Sequence, residues 1–226
     1  MPRTRARPVE VIATVGGVRV RRRAGDNGLY FVAGMQIDAD GAPRAYHPRG
    51  APGLDFLANA GRPGHWFGII TDRAGNPVVQ SPRDPAPGFY VSPTSLQDPT
   101  RAVADPRRYV DASTIPYVVL PRLVRDRGRV RLGDFAAVRN RANGKIAFAI
   151  YADGGPKGKI GEGSIALAKA LRIPSNPKHG GTDRKEVAYV VFPGSGNKRP
   201  RTKPEIDEHG ARLLEAWGGR ARLEKL

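Results

Sequence analysis

The chain has 226 residues, of which 39% are hydrophobic and 26% charged, a composition typical of a globular domain. It has no cysteine, which excludes disulfides, thiolate nucleophiles and cysteine-ligated zinc sites. No apolar run reaches the length that a membrane span requires. The net charge of +17 attracts polyanions and predicts weak, non-specific binding to them.

Short strand patterns separated by glycine and proline turns follow one another through the first half. "VEVIATVGGVRVRRR" predicts one or two short strands in a basic N-terminal segment, residues 1–28. "GLYFVAGMQIDADGAPRAYHP" and "HWFGIITDRAGNPVVQ" each predict a strand, a tight turn and a second strand. Residues 81–115 are rich in proline, aspartate and serine and predict a long irregular connection.

The second half has the strongest strand patterns: "IPYVVLP", "LGDFAAVRN", "KIAFAIYAD" and "KEVAYVVFPGSG". "GEGSIALAKALRI" predicts a short helix, and "KPEIDEHGARLLEAWGG" predicts a C-terminal helix with Pro204 just inside its start and Gly218 just after its end. Because strands mostly follow strands through tight turns, we predict a mainly β fold. We expect a single-domain β-barrel, mixed or antiparallel, with a short helix after the strand that ends at Asp153 and a C-terminal helix.

The domain organisation that these patterns predict has three parts. A basic segment with short strands, residues 1–28, precedes a β domain of residues 29–195. A basic linker and the C-terminal helix, residues 196–226, follow it.

Several kinds of catalytic site are excluded by motif. The chain has neither a Gly-x-Ser-x-Gly elbow nor a phosphate-binding loop ending in Lys-Ser/Thr. No two histidines are spaced i, i+3 or i, i+4, as a helical metal site needs, so we predict no metal and no cofactor. The four histidines are His47, His65, His179 and His209.

Two carboxylates remain as candidates, in "YADGGPKGKIGEGSIALAKAL". Asp153 ends an apolar strand, and Glu162 stands between Gly161 and Gly163 at the start of the predicted helix. The intervening loop is short enough for both side chains to face one cleft, and glycosidic hydrolysis needs a proton donor and a base or nucleophile on either side of the bond. The alternative is that Asp153 is a turn residue and that Glu162 suits the helix dipole.

The text around this pair resembles the glycoside hydrolase family 75 chitosanases, the fungal-type group. The resemblance covers roughly residues 29–195. It rests on "MQIDADG", "ASTIPYVVLP", "GDFAAVRNRANGKIAFAIYADGGPKGKIGEGSIALAKAL" and "HGGTDRKEVAYVVFPGSG". It implies an endo-acting, inverting hydrolase of β-1,4 bonds between glucosamine units in chitosan. The family's catalytic carboxylates fall on Asp153 and Glu162.

In that scheme we expect Glu162 to be the general acid and Asp153 the general base, with the reverse assignment open. Tyr151 alternates with Asp153 along one strand and is therefore expected on the same face, beside the sugar. Trp66 and Tyr46 are weaker candidates for sugar platforms. The substrate-binding candidates are Asp38, Tyr151, Thr182 and Asp183.

The charge of the chain keeps other interpretations open. Chitosan is a polycation, which a chain of net charge +17 repels at long range. Peptidoglycan carries anionic stem peptides, so a peptidoglycan-cleaving glycosidase acting as an effector or lysin is one alternative. A non-catalytic basic domain that binds carbohydrate or nucleic acid is another. The given chain has no recognisable signal peptide, and we expect an extracellular or periplasmic site of action.

Overall fold

The computed structural model describes residues 8–226, which form ten strands and four α-helices. The strands are β1 (Val9–Val15), β2 (Val18–Arg23), β3 (Leu29–Asp38), β4 (Gly61–Arg62), β5 (His65–Trp66), β6 (Tyr117–Pro121), β7 (Phe135–Asn140), β8 (Ile146–Gly155), β9 (Glu162–Ser164) and β10 (Thr182–Val191). The helices are α1 (Arg122–Gly128), α2 (Ile165–Ala170), α3 (Lys203–Trp217) and α4 (Gly219–Leu223). None of the helices in this part of the chain is long and apolar enough to cross a bilayer.

A closed barrel forms the centre of the molecule. Its strand order is β3-β10-β7-β8-β6-β9, and β9 pairs back with β3 to close the ring of six strands. The pairs β6–β8 and β3–β9 are parallel and the others antiparallel, so the barrel is mixed. The β1–β2 hairpin extends the same sheet from β3. The predicted mainly β, single-domain barrel is confirmed.

Packed side chains fill the inside of the barrel, and α3 packs against part of its outer face. Phe31 and Tyr189 are cross-strand partners whose stacked rings lie 4.6 Å apart inside the barrel. The residues of alternate parity face outward, where α3 packs on β7 and β8. Gly210 of α3 lies directly against Phe148, because a Cβ built on it would come within 2.6 Å of that side chain. A larger residue at position 210 would push the helix off the barrel.

A long excursion, residues 39–116, separates β3 from β6. It holds β4, β5 and the 3₁₀ helices Leu57–Ala60 and Pro106–Arg108, and is otherwise irregular. The strands predicted in "HWFGIITDRAGNPVVQ" shrink to β5 and an isolated bridge between Thr71 and Pro77. The predicted turn is present: the carboxylate of Asp72 accepts hydrogen bonds from the backbone amides of Ala74 and Asn76.

The C-terminal helix α3 and the short helix α2 follow the sequence signals, whereas α1 and α4 were not predicted. Helix α3 begins with a capping box between Thr202 and Glu205 and ends at Gly218, close to the predicted bounds. Helix α1 was not predicted: Pro121 ends β6, as the strand pattern "IPYVVLP" predicted, and is at the same time the N-cap of a seven-residue helix. Helix α4 adds a further short turn after Gly218.

Candidate active site

A cleft of about 990 Å³ lies between the barrel wall and the excursion. Its lining is acidic, although the chain as a whole is strongly basic. Lys159 is among the lining residues, but carboxylates outnumber it. The acidic side chains in the lining are Asp38, Asp40, Asp55, Asp153, Glu162 and Asp183.

The register of three adjacent strands sets the separation of Asp153 and Glu162. Val119 on β6 pairs with Asp153 on β8 at one side and with Glu162 on β9 at the other. Neighbouring strands lie about 4.8 Å apart, so the two carboxylate-bearing backbones are about 10 Å apart across β6. Both side chains and Val119 line the same cleft. The short loop between Asp153 and Glu162 therefore brings the chain back to the same height along the barrel strands.

A β-bulge turns Asp153 toward the cleft. The β6–β8 register pairs Val118 with Tyr151 but Val119 with Asp153, so β8 has one extra residue at this point. Such an insertion reverses the facing of every later side chain on the strand. Tyr151 is 1% exposed and outside the cleft lining. The prediction that Tyr151 shares the face of Asp153 is therefore wrong, because strict alternation does not hold across the bulge.

Glu162 lies on a strand and not in the first turn of a helix. Helix α2 begins at Ile165 and is capped by Ser164, so the expected stabilisation of Glu162 by the helix dipole does not apply. Gly161 precedes it with φ of +95°, and a Cβ there would approach the carbonyl oxygen of Gly34 to 2.6 Å. Glycine at this position lets β9 close against β3, where the amide of Gln36 donates to the carbonyl of Gly161 at 2.9 Å.

Hydrogen bonds favour the ionised form of Asp153. Burial raises the pKa of this carboxyl, but three donors to Oδ1 oppose the rise. They are the Ser95 hydroxyl at 2.5 Å, the Ser95 amide at 3.1 Å and the Gly154 amide at 2.7 Å. Ser95 belongs to the excursion, so that loop holds the carboxylate in place.

Glu162 has the opposite surroundings. Burial, followed by repulsion from Asp153, raises its pKa to about 7, and Lys159 opposes this only in part. Hydrogen-bond donors do not offset the effect of burial on the pKa of Glu162, as they do in part at Asp153. Burial raises the pKa of both carboxyls, but three hydrogen bonds oppose the rise at Asp153, whereas Glu162, with a pKa of about 7, is the one poised to carry a proton near neutral pH.

Further carboxyls surround the pair. Burial and then neighbouring carboxylates raise the pKa values of Asp38 and Asp40 well above the usual range. Asp40 accepts a hydrogen bond from the Tyr46 hydroxyl at 2.7 Å, so Tyr46 is a buried partner of an acid and not a sugar platform. Asp55 is held by the side-chain amide of Asn59 at 2.9 and 3.1 Å. Sequence reasoning missed Asp55, and it treated Asp40 as part of the turn predicted in "MQIDADG".

The other sequence-predicted residues divide between cleft and surroundings. Asp38, Thr182 and Asp183 line the cleft with the catalytic candidates. The Thr182 hydroxyl donates to Glu186 at 3.0 Å. Trp66 lies outside the lining, whereas the next residue, Phe67, is in the lining and 72% exposed.

A family model described as fungal chitosanase of glycosyl hydrolase group 75 matches residues 90–216, more than half of the chain. The chain belongs to this family. The protein is therefore a glycoside hydrolase of the chitosanase class, acting within the polymer chain. The range matched to the group 75 chitosanases contains Asp153 and Glu162, whereas Asp38, Asp40 and Asp55 lie before it. A search among curated proteins found no match.

Ser95→Ala is expected to move the acid limb of the kcat/KM profile upward by about one to two pH units. A hydrogen bond to a charged group contributes about 1.5–3 kcal/mol, and each pKa unit corresponds to about 1.36 kcal/mol. Loss of the hydroxyl would therefore raise the pKa of Asp153. Ser95→Thr, which keeps a hydroxyl, is the control and should restore the profile. An unchanged acid limb in Ser95→Ala would show that this bond does not tune the reaction.

Glu162→Gln is expected to unfold at a higher temperature than the parent at about pH 8 and at the same temperature at about pH 4. The folded pKa of Glu162, about 7, exceeds its ordinary value of 4.5, so the folded state binds more protons between these values. Its contribution to stability is thus complete below the lower value and is lost as the pH rises through the higher. Each kcal/mol recovered raises Tm by about 2–4 °C. Glu208→Gln, on the exposed side of α3, should change neither temperature. A lower Tm for Glu162→Gln at the higher pH would contradict the account.

Proposed function

We propose that the protein hydrolyses β-1,4 bonds of chitosan with inversion, using Glu162 as general acid and Asp153 as general base. The observation that carries the proposal is the pairing of both residues with Val119 from opposite sides, in one acidic cleft. A backbone separation of about 10 Å leaves room for a water molecule between sugar and base. Inverting enzymes need such room, with carboxyl groups roughly 6.5–9.5 Å apart, whereas retaining enzymes hold theirs about 5–5.5 Å apart.

The reaction follows from the two protonation states. Protonated Glu162 donates its proton to the glycosidic oxygen as the bond to the anomeric carbon breaks. Ionised Asp153 takes a proton from a water molecule, whose oxygen bonds to the same carbon from the opposite face. The products are two shorter chains, one with a new reducing end. Glu162 is then ionised and Asp153 protonated, and exchange of protons with solvent restores the starting state.

The charge of the lining favours an amino-sugar polymer. Burial raises the pKa values of Asp38, Asp40 and Asp55, and the ammonium groups of a bound glucosamine chain would favour the ionised forms of these carboxyls and so be attracted by them. The +17 net charge, which raised the question of a cationic substrate, is carried elsewhere on the molecule. The same lining disfavours the anionic stem peptides of peptidoglycan, so the alternative based on net charge loses its support.

A side-by-side assay on chitosan, chitin and peptidoglycan sacculi tests the substrate. We expect chain shortening on chitosan, little on fully acetylated chitin, and no release of muropeptides. Asp55→Asn removes a cleft charge but keeps the side chain's size, and should raise KM for chitosan more than it lowers kcat. Release of muropeptides by a preparation that leaves chitosan intact would refute the proposal.

Phe67→Ala is expected to raise KM on long chitosan several-fold with little change in kcat. An aromatic ring that is 72% exposed at the edge of a carbohydrate cleft provides an apolar face for a sugar ring. Loss of such a platform weakens binding remote from the reacting bond. Phe56→Ala is the matched control, since Phe56 is also exposed but outside the lining. Equal effects of the two substitutions would refute a role for Phe67 in binding.

A further inference from the structure

Three adjoining depressions cross the outer side of strands β2, β3, β10 and β7. Their volumes are about 650, 310 and 520 Å³. The first and second share Arg21 and Val32, and the second and third share Lys185, so they form one continuous groove. We call this the basic groove, after its cations, which are Arg19, Arg21, Arg23, Arg139, Arg141, Lys185, Arg222 and Lys225.

Strand alternation directs the cations of β2 outward. Arg19, Arg21 and Arg23 alternate along β2 with the buried Val18 and Val20. Within residues 8–226, seven of the eight groove cations are in no ion pair with a carboxylate, and the eighth, Arg222, is paired with Asp26.

Two carboxylates at one end of the groove reduce its charge but do not reverse it. Glu186 and Glu224 line the third depression, and Glu224 pairs with Arg220, outside the groove. The groove therefore keeps a clear positive excess, opposite in sign to the catalytic cleft.

The chemistry of the groove indicates its ligand. Guanidinium groups bind phosphate oxygens bidentately, and a row of them suits a chain of anions. Single-stranded nucleic acid binds tightly where its bases stack on exposed aromatic rings. The groove offers none, because Trp217 is 6% exposed with the Arg222 guanidinium 3.8 Å over its ring, and Tyr30 packs against it. We propose that the basic groove binds a linear polyphosphate chain, through its phosphates alone.

The basic groove lies close to the catalytic cleft. A smaller depression of about 210 Å³ shares Val18 with the groove, and Gln36 and Lys159 with the catalytic cleft. Chitosan is a polycation and is necessarily accompanied by anions. A polyphosphate chain bound in the basic groove would therefore lie next to the catalytic cleft, which binds the cationic chitosan chain. The binding goes beyond the proposed hydrolysis and does not depend on it.

Fluorescence anisotropy with labelled long-chain inorganic polyphosphate tests the groove. The variant Arg19→Ala, Arg21→Ala, Lys185→Ala removes three groove cations. The matched control Arg62→Ala, Arg73→Ala, Arg83→Ala removes three exposed cations of the excursion. We expect the groove variant to bind polyphosphate at least about tenfold more weakly than the parent. The slope of log K against log salt concentration should become shallower by about 0.7 for each lost phosphate contact. The control should bind as the parent does, and thermal unfolding should match in all three proteins.

Three results would overturn the inference. One is an equal loss of affinity in the groove variant and the control, which would mean that only total charge matters. Another is binding of single- or double-stranded DNA or of polyglutamate as tightly as polyphosphate of equal charge. The third is the absence of polyphosphate binding by the parent at physiological salt. Because chitosan hydrolysis should be unchanged in both variants, failure here is distinguishable from failure of the proposed function.

Discussion

Glu162→Gln is expected to lower kcat on chitosan by roughly two to four orders of magnitude, the usual contribution of a general acid. Glutamine keeps the shape of the side chain but has no acidic proton for the leaving oxygen. Its loss removes the group whose pKa, about 7, suits proton donation near neutral pH. The measurement is the initial rate of new reducing ends, with circular dichroism to establish that the fold is retained.

The leaving group provides an internal control for this substitution. An aryl glycoside with a good leaving group needs no proton, so Glu162→Gln should hydrolyse it far better, relative to the parent, than it hydrolyses chitosan. Glu208→Gln should match the parent on both substrates. Retention of more than about a tenth of the parental kcat on chitosan would mean that the proton comes from another residue.

Asp153→Asn is expected to lower kcat by a similar factor, on both chitosan and the activated glycoside. The asparagine side chain can still accept from Ser95, but it cannot take a proton from water, whatever the leaving group. The acid and base assignments thus give different patterns across the two substrates. If only the polymer rate fell, the roles of Asp153 and Glu162 would have to be exchanged.

A small anion should bypass the lost base. In Asp153→Ala the shortened side chain leaves space for azide, which attacks without first losing a proton. We expect azide to restore part of the rate in Asp153→Ala and to form a glycosyl azide, but to have no such effect in Glu162→Gln. Absence of rescue together with a normal fold would argue against Asp153 as the group that activates water.

The strands that carry the site could be predicted because short apolar runs of the sequence specify them. Apolar runs specify β6, β8 and β10, and they place Asp153 at a strand end. A loop of a few residues brings Glu162 back beside it. The resemblance to the group 75 chitosanases around these residues predicted them as the catalytic pair.

The remaining features depend on contacts that the sequence does not display. The bulge that separates Tyr151 from Asp153 is a property of the β6–β8 register, which no pattern in either strand reveals. Asp55 and Ser95 reach the cleft from an irregular excursion whose path is set by side-chain hydrogen bonds. Glu162 was placed in a helix because the strand before α2 has only three residues.

Charge is distributed unevenly over the surface, which a sum over the sequence conceals. The net charge of +17 argued against a cationic substrate, yet the cleft gathers six acidic side chains. Cations such as Arg19 and Lys185 lie instead along the basic groove. A substrate meets the local potential of the cleft at close range, where screening by salt removes most of the influence of distant charges.

The anomeric configuration of the first product tests the central claim most directly, since it depends on how Asp153 and Glu162 are spaced across β6. Proton NMR of chitosan oligomers, recorded in the first minutes of hydrolysis before mutarotation, distinguishes the two anomers. The account predicts that the new reducing end appears as the α anomer. Initial appearance of the β anomer would mean retention through a covalent intermediate, and would contradict the assignment of Asp153 as a base acting through water.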